Sequence, residues 1–161
     1  MQPEVRRFVV GPIQTNAYLV TCAGDALLID PGAPDPALAA AVAGAALRAV
    51  VFTHGHYDHI AGAEAFRGPG VPFLIGAADA ACLTDPARNL SHLVTGPMAL
   101  AAGPDRTLAD GETLEAGCLR FTVLAVPGHS PGSIAPYGHG MVFGGDVLFD
   151  GSIGRTDLPG G

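Results

Sequence analysis

The sequence predicts a mixed α/β fold (α/β or α+β), with layers packed around sheets that contain antiparallel pairs. Three short strand-like runs open the chain, helical and strand-like runs then alternate, and the second half returns to strands. At 161 residues the chain is long enough for a single domain, residues 1–161, with a proper core. Because 48% of the residues are apolar, their burial can offset the entropy lost on folding.

The first half predicts an antiparallel meander followed by βαβ-like units. Turn residues in GPIQT and AGD divide the first three strands, and Asp35-Pro36 opens the first helix with proline in its first turn. The predicted elements are strands Val5–Val10, Asn16–Thr21 and Ala26–Asp30, helix Ala37–Ala46, strand Arg48–Thr53, helix Asp58–Phe66, strand Val71–Ile75 and helix Ala77–Leu83.

The second half predicts mostly β-structure after an irregular stretch. Residues 85–104 show no clear period and are interpreted as an irregular excursion, a candidate cover for a site. After it come Thr107–Leu114 with a turn at Ala109-Asp110-Gly111, strand Leu119–Val126, and a hairpin of Ser133–Tyr137 and Met141–Phe143 around Gly138-His139-Gly140.

Composition excludes several classes of partner and chemistry. Eight arginines against fifteen acidic residues give a net charge of -7, so we expect neither nucleic acid nor an anionic membrane as a partner. The chain has no lysine, which excludes Schiff-base chemistry by that residue. No run reaches the about 18 apolar residues of a membrane span, and the N-terminus shows no secretory signal.

The cysteines predict a reducing, cytoplasmic location. Cys22, Cys82 and Cys118 are odd in number and lack CxxC spacing, which argues against a disulfide framework or a cysteine-rich zinc site. We therefore expect all three to be reduced and mostly buried thiols.

A metal site is predicted where the strand Arg48–Thr53 ends. The segment HGHYDH follows it, and residues i and i+2 of an extended chain project to one side, so His54, His56 and Asp58 can converge. His59 then begins the next helix, with Asp58 at its N-cap position. Imidazoles and carboxylates without thiolates suit Zn, Fe or Mn.

Two later segments end strands in a similar way. Val126-Pro127-Gly128-His129 places a histidine in a turn that proline and glycine fix. Gly144-Gly145-Asp146 places a carboxylate where paired glycines let the backbone come close to a site. Together with HGHYDH, both His129 and Asp146 are candidate metal ligands.

These residues resemble a known family. THGHYDH, PGHSPGS and GGDVLF look like successive motifs of the metallo-β-lactamase superfamily, and LIDPG at Leu28–Gly32 resembles its early aspartate motif. The closing SIGRTDLPGG is similar to the glyoxalase II-like branch, the relatives of hydroxyacylglutathione hydrolase. The resemblance implies a four-layer αββα sandwich and one or two zinc ions per chain.

The resemblance also implies roles for individual residues. The implied ligands are His54, His56 and His129 for the first metal, Asp58 and His59 for the second, and Asp146 bridging both. Asp30 is implied as a structural aspartate behind the ligands. Arg155 and Asp157 are interpreted as a pair that orders the tail. In the implied reaction a zinc-bound hydroxide attacks a small thioester or related ester, and Asp58 orients it and manages its proton.

The sequence departs from the family pattern at its C-terminal end. The family continues past GRTDLPGG through a helix, a strand and a further histidine for the second metal, whereas this sequence stops at Gly161. Of the two remaining histidines, His139 is predicted at a hairpin tip and His92 in the irregular excursion. We therefore expect a truncated form of a longer protein that lacks the last strand and helix. If the chain does end here, the uncovered sheet is a hypothesis for homo-oligomer formation.

Three functional hypotheses remain open at this point. The leading one is a zinc thioester hydrolase of the glyoxalase II-like kind. The second is a mononuclear iron persulfide dioxygenase, which would use His54, His129 and Asp146. The third is a truncated metal-binding chain without turnover. A glutathione-type substrate would call for cationic contacts, and the sequence offers Arg88, Arg106 and Arg155 without placing them.

Overall fold

A computed structural model of the protein describes residues 2–161 and has the mixed α/β architecture that the sequence predicts. Six strands form the first sheet in the order β1-β2-β3-β4-β5-β6, four form the second in the order β10-β9-β8-β7, and β11 and β12 form a small ribbon. The strands are β1 Glu4–Val10, β2 Thr15–Cys22, β3 Asp25–Ile29, β4 Ala46–Phe52, β5 Phe73–Gly76, β6 Arg106–Leu108, β7 Thr113–Ala116, β8 Leu119–Ala125, β9 Ile134–Gly138, β10 Met141–Val142, β11 Leu148–Phe149 and β12 Ser152–Ile153.

Strand pairing confirms the predicted meander and hairpin, whereas the predicted segment Thr107–Leu114 is divided between the two sheets. β1, β2 and β3 form the antiparallel meander, and β3 to β6 then pair in parallel. The second sheet is antiparallel throughout, and its β9–β10 hairpin turns at Gly138–Met141 as predicted. The carboxyl ends of the parallel strands meet at one edge of the first sheet, and this edge carries the histidine-rich segment.

Two of the three predicted helices are shorter than predicted, and the third, Ala77–Leu83, keeps its bounds as a 3-10 helix. α1 runs over Pro36–Ala43, because Asp35 caps its start through Leu38 N at 2.7 Å and Gly44 ends it before β4. The predicted helix Asp58–Phe66 is wrong as a continuous element: α2 covers only Tyr57–Ile60, and a 3-10 helix follows at Ala63–Phe66. The remaining short helices, all of the 3-10 type, are Ala77–Leu83, Ser91–Leu93 and Gly145–Val147.

Two apolar cores flank the first sheet. Because side chains alternate along a strand, Leu28 of β3 packs in the core beneath α1, while Leu27 and Ile29 pack in the core between the two sheets. This double burial explains the unbroken apolar run of the strand. On its outer face the second sheet exposes Leu124 and Tyr137.

The expectation of three reduced cysteines is wrong. Cys22 at the end of β2 and Cys118 in the β7–β8 turn form a disulfide that joins the two sheets, and only Cys82 is free and buried among the described residues. The two half-cystines are 96 residues apart, so only the fold makes them neighbours. The argument for a cytoplasmic location from the cysteines therefore fails, since disulfides belong mainly to oxidising compartments.

Within residues 2–161, no helix combines the length and apolar character needed to cross a membrane.

Candidate metal centre

Histidines from separate loops converge at the edge of the first sheet. His54 and His56 follow β4, His59 lies in α2, and His129 lies in the loop after β8. Donor atoms of His54, His56 and His129 lie within 4.8 Å of one another, as do those of His54, His59 and Asp146. The two groups share His54, so the structure brings five of the six predicted ligands into two adjoining clusters.

The tautomer of His54 follows from its neighbours. The Thr53 hydroxyl donates to Asp30 Oδ2 at 2.6 Å, so its oxygen accepts from His54 Nδ1 at 3.2 Å. This leaves His54 Nε2 as the nitrogen with a free lone pair. That atom is buried and has no hydrogen-bond partner among the described residues. A buried acceptor without a partner is costly, and a metal ion at this position would satisfy it.

Hydrogen-bond partners also fix the orientation of His129 and His56. His129 Nδ1 donates to the Arg155 carbonyl at 2.9 Å, which turns Nε2 towards the cluster. That Nε2 lies 2.9 Å from His56 Nδ1. Burial, with the charge of His129 beside it, lowers the pKa of His56 to about 4, and burial lowers the pKa of His54 well below its usual value. Neutral imidazoles with inward-facing nitrogens fit a divalent metal.

Asp146 belongs to the second cluster and extends towards the first. Its Oδ1 is 3.1 Å from His59 Nε2 and its Oδ2 is 3.7 Å from His129 Nε2. The predicted close approach of the backbone here is confirmed: Gly145 has a φ of +51°, and a Cβ at this position would lie 2.2 Å from Thr53 Oγ1. Only glycine fits this conformation and this space.

Asp30 lies behind the histidines, where the early aspartate motif predicts it. Its carboxylate accepts from Thr53 N at 2.8 Å and from His59 Nδ1 at 2.9 Å. Burial alone would lower the pKa of His59, but the charge of Asp30, the hydrogen bond to it and the close contact with Asp146 raise it to about 10. In the metal-free chain His59 therefore carries a proton that a metal would displace.

Asp58 differs from its predicted position. It is not the N-cap of α2, since His56 occupies that position, and its donor atoms fall in neither cluster. Its Oδ2 accepts from Thr15 Oγ1 at 2.9 Å and lies 3.5 Å from His59 Nε2. The hydrogen bond with Thr15 on β2 takes the place of helix capping, and nothing in the local sequence relates this strand to Asp58.

Sequence reasoning missed Asp79, a buried carboxylate in the 3-10 helix Ala77–Leu83. Its Oδ2 accepts from Gly55 N at 2.9 Å and from Ser130 Oγ at 2.6 Å, and its Oδ1 accepts from Gly132 N at 2.8 Å. Gly55 separates His54 from His56, and Ser130 follows His129. Asp79 therefore ties the two histidine loops together. An aspartate within the apolar run AADAACL was the available signal.

The other candidates lie outside the clusters. His92 is exposed and donates to the Pro86 carbonyl, and His139 accepts from Arg120 N at the β9–β10 turn. Arg155 and Asp157 form the predicted pair, with contacts of 2.6 and 2.8 Å. Arg88 and Arg106 pair with Asp85 and Glu112, respectively.

The comparison with known families agrees with this geometry. The model of the metallo-β-lactamase superfamily matches residues 10–161. The chain belongs to this superfamily. It is 35% identical to the probable metallo-hydrolase YqgX of Bacillus subtilis, over 97% of this chain and 76% of that protein. It is 39% identical to a hydroxyacylglutathione hydrolase of Anaeromyxobacter dehalogenans, over 82% of this chain and 45% of that enzyme, so it spans less than half of this relative.

Several solved structures share this fold. The BLEG-1 B3 metallo-β-lactamase superposes with a TM-score of 0.89 at 38% identity, covering 98% of this chain and 79% of that one. A di-iron-bound form of TTHA1623 gives a TM-score of 0.79 at 36% identity, covering 96% and 78%. ETHE1 from Myxococcus xanthus gives 0.72 at 26% identity, covering 98% and 64%. The fold prediction is thus confirmed.

Proposed function

We propose that this chain is a metal-dependent hydrolase that cleaves a small thioester or related ester. The observation that carries the proposal is the buried His54 Nε2, which lacks a partner among the described residues and lies with the inward nitrogens of His56 and His129. Similarity to hydroxyacylglutathione hydrolases at 35–39% identity supports thioester cleavage.

The proposed ligands follow the two clusters. His54, His56 and His129 hold the first metal, and His59 and Asp146, which cluster with His54, bind the second. Asp146 also extends towards the first site, since its Oδ2 lies 3.7 Å from His129 Nε2. Asp58 completes the second site with His59, which requires a small movement from the position that Thr15 holds. We propose zinc, in one or two ions per chain, because imidazole and carboxylate donors suit it.

The chain's own groups then organise the reaction. A bound divalent metal supplies a Lewis acid that polarises the acyl carbonyl and lowers the pKa of water to about 7. Asp58 lines the cleft beside the cluster, where its carboxylate can accept the proton of the attacking water. A thiolate leaves without a strong acid, since free thiols have a pKa of about 8.5. Asp30 and the Arg155 carbonyl keep His59 and His129 oriented throughout.

The test compares activity with metal content. The zinc-loaded chain is expected to hydrolyse a thioester, to lose activity on chelation and to regain it with zinc. His129→Ala should lower turnover at least about 100-fold and lower the zinc content, because it removes a proposed ligand. His139→Asn is the matched control, since His139 lies at an exposed turn with a φ of +52° that asparagine tolerates. A folded chain that binds no metal would overturn the proposal.

A second candidate is an iron persulfide dioxygenase. It is favoured by the likeness to a di-iron-bound form of TTHA1623 and to ETHE1, and it needs only His54, His129 and Asp146. Oxygen uptake by the iron-loaded chain with a persulfide, without thioester hydrolysis by the zinc form, would replace the hydrolase proposal. Metal binding without either activity would leave a chain that binds metal without turnover.

A further inference from the structure

A cleft of about 260 Å³ opens directly on the proposed metal centre. His56, His129 and Asp146 are among its lining residues, so a ligand in the cleft lies beside proposed metal ligands. Its walls come from the β1–β2 turn, the loop after Asn89 and the C-terminal segment. The cleft is therefore continuous with the site at which the proposed reaction occurs.

Much of the wall of this cleft is apolar. Ile13, Leu93 and Val94 line it and keep 50%, 62% and 63% of their surface exposed, and Leu90 and Leu158 line it as well. Exposed apolar side chains that cluster beside a polar site are typical of a ligand groove.

The loop that carries Leu93 and Val94 is held in place. The buried Asn89 side-chain amide donates to the carbonyls of Cys82 and Met98 at 3.0 and 2.9 Å, and its oxygen accepts from Ser91 N at 3.0 Å. Because these three hydrogen bonds lie immediately before Leu93 and Val94, they hold the loop in one conformation that is ready to contact a ligand.

No unpaired cation faces the cleft among the described residues. Asp58, Asp146 and Arg155 line it, and the Arg155 guanidinium is held by both oxygens of Asp157. The net charge of the chain is -7. A glutathione moiety carries two carboxylates, for which this lining offers no free partner. A neutral hydrocarbon chain, in contrast, would cover the exposed leucine, isoleucine and valine side chains.

We propose that the cleft binds the acyl chain of a neutral, apolar acyl thioester or ester. This inference rests on the proposed hydrolase function and names its substrate class. The hydrocarbon tail lies along Ile13, Leu93 and Val94, which places its carbonyl carbon at the histidine cluster. Water adds to that carbon, the bond to the leaving sulfur or oxygen breaks, and the products are a carboxylic acid and a thiol or alcohol.

The test uses the zinc-loaded chain and a series of N-acetylcysteamine thioesters from acetyl to hexanoyl, with S-lactoylglutathione for comparison. Each methylene buried in the cleft should raise kcat/KM by up to about fourfold. We expect at least a tenfold hexanoyl-to-acetyl ratio and weaker activity on S-lactoylglutathione. The variants Leu93→Ser and Val94→Ser should lower that ratio, whereas Leu124→Ser, an exposed apolar position on the outer face of the second sheet, should not.

A binding measurement separates the two proposals. Non-hydrolysable amide analogues with acetyl and hexanoyl chains are titrated into the zinc-loaded chain by calorimetry. Tighter hexanoyl binding without any thioester turnover would overturn the hydrolase proposal and support the acyl cleft. Equal use of all chain lengths, or a preference for S-lactoylglutathione, would overturn the acyl cleft. Insensitivity of the ratio to Leu93→Ser and Val94→Ser would overturn it as well.

Discussion

Asp79→Asn tests whether one buried carboxylate holds the two histidine loops together. The amide can adopt two orientations in the space of the carboxylate. If its nitrogen takes the position of Oδ2, it faces the donors of Gly55 and Ser130; if it takes the position of Oδ1, it faces only Gly132 N. The second orientation costs less, because it places the amide nitrogen against one donor, Gly132 N, and keeps an oxygen for both Gly55 N and Ser130 Oγ.

The expected cost follows from that orientation. A hydrogen bond to a charged group contributes roughly 1.5–3 kcal/mol, so Asp79→Asn should destabilise the metal-free chain by about 2 kcal/mol. Asp79→Ala loses all three hydrogen bonds and should cost at least about 4.5 kcal/mol. Because Gly55 and Ser130 adjoin His56 and His129, zinc should also bind about tenfold more weakly to Asp79→Asn.

The assay is urea unfolding of the metal-free chain, combined with zinc competition against a chromophoric chelator. The matched control is Asp110→Asn, since Asp110 is exposed and, among the described residues, accepts only from Ala125 N at 2.8 Å. It should cost less than about 1 kcal/mol and leave zinc affinity unchanged. The reasoning is refuted if Asp79→Asn unfolds at the wild-type midpoint and binds zinc with wild-type affinity.

Three further outcomes are expected. His54→Ala removes the residue shared by both clusters, so elemental analysis should show a greater loss of zinc than in His139→Asn, and equal zinc contents would contradict this. Replacing Cys22 and Cys118 together by serine should lower the free energy of unfolding by about 2–4 kcal/mol, because the bridge closes a long loop; an unchanged thermal midpoint would argue against the disulfide. Burial, with Asp79 nearby, raises the pKa of Cys82 to about 12, so iodoacetamide at pH 8 should modify the native thiol far more slowly than the unfolded one. The native thiol holds its proton more tightly than the unfolded one, so its contribution to stability is complete below about pH 9 and declines between about pH 9 and 12. Unfolding curves of the wild type across this pH range, compared with those of Cys82→Ala, would show this decline only in the wild type.

Features that depend on neighbouring residues were predictable from the sequence. The meander β1–β3 follows from apolar runs divided by turn residues, and the β9–β10 hairpin from Gly138-His139-Gly140. The convergence of His54 and His56 follows from the strand that precedes them, since the alternation of side chains is a local property of an extended chain.

Features that depend on distant partners were not predictable. The helix expected at Asp58–Phe66 stops at Ile60, and Gly62 N donates to the Pro31 carbonyl at 2.8 Å instead of continuing the helical hydrogen bonds. Asp58 turns to Thr15 on β2 rather than capping α2. Both outcomes depend on contacts with residues that are distant in the sequence, one in the loop after β3 and one on β2.

The sequence by itself determined the class of fold, the strand ends that carry the histidines and the chemistry of the donor set, because each is encoded in short runs of residues. Only the tertiary structure decided the Cys22–Cys118 bridge, the role of Asp79 and the apolar cleft at Leu93. Each of these depends on residues that are far apart in the chain, and their proximity is a consequence of how the two sheets and their loops pack.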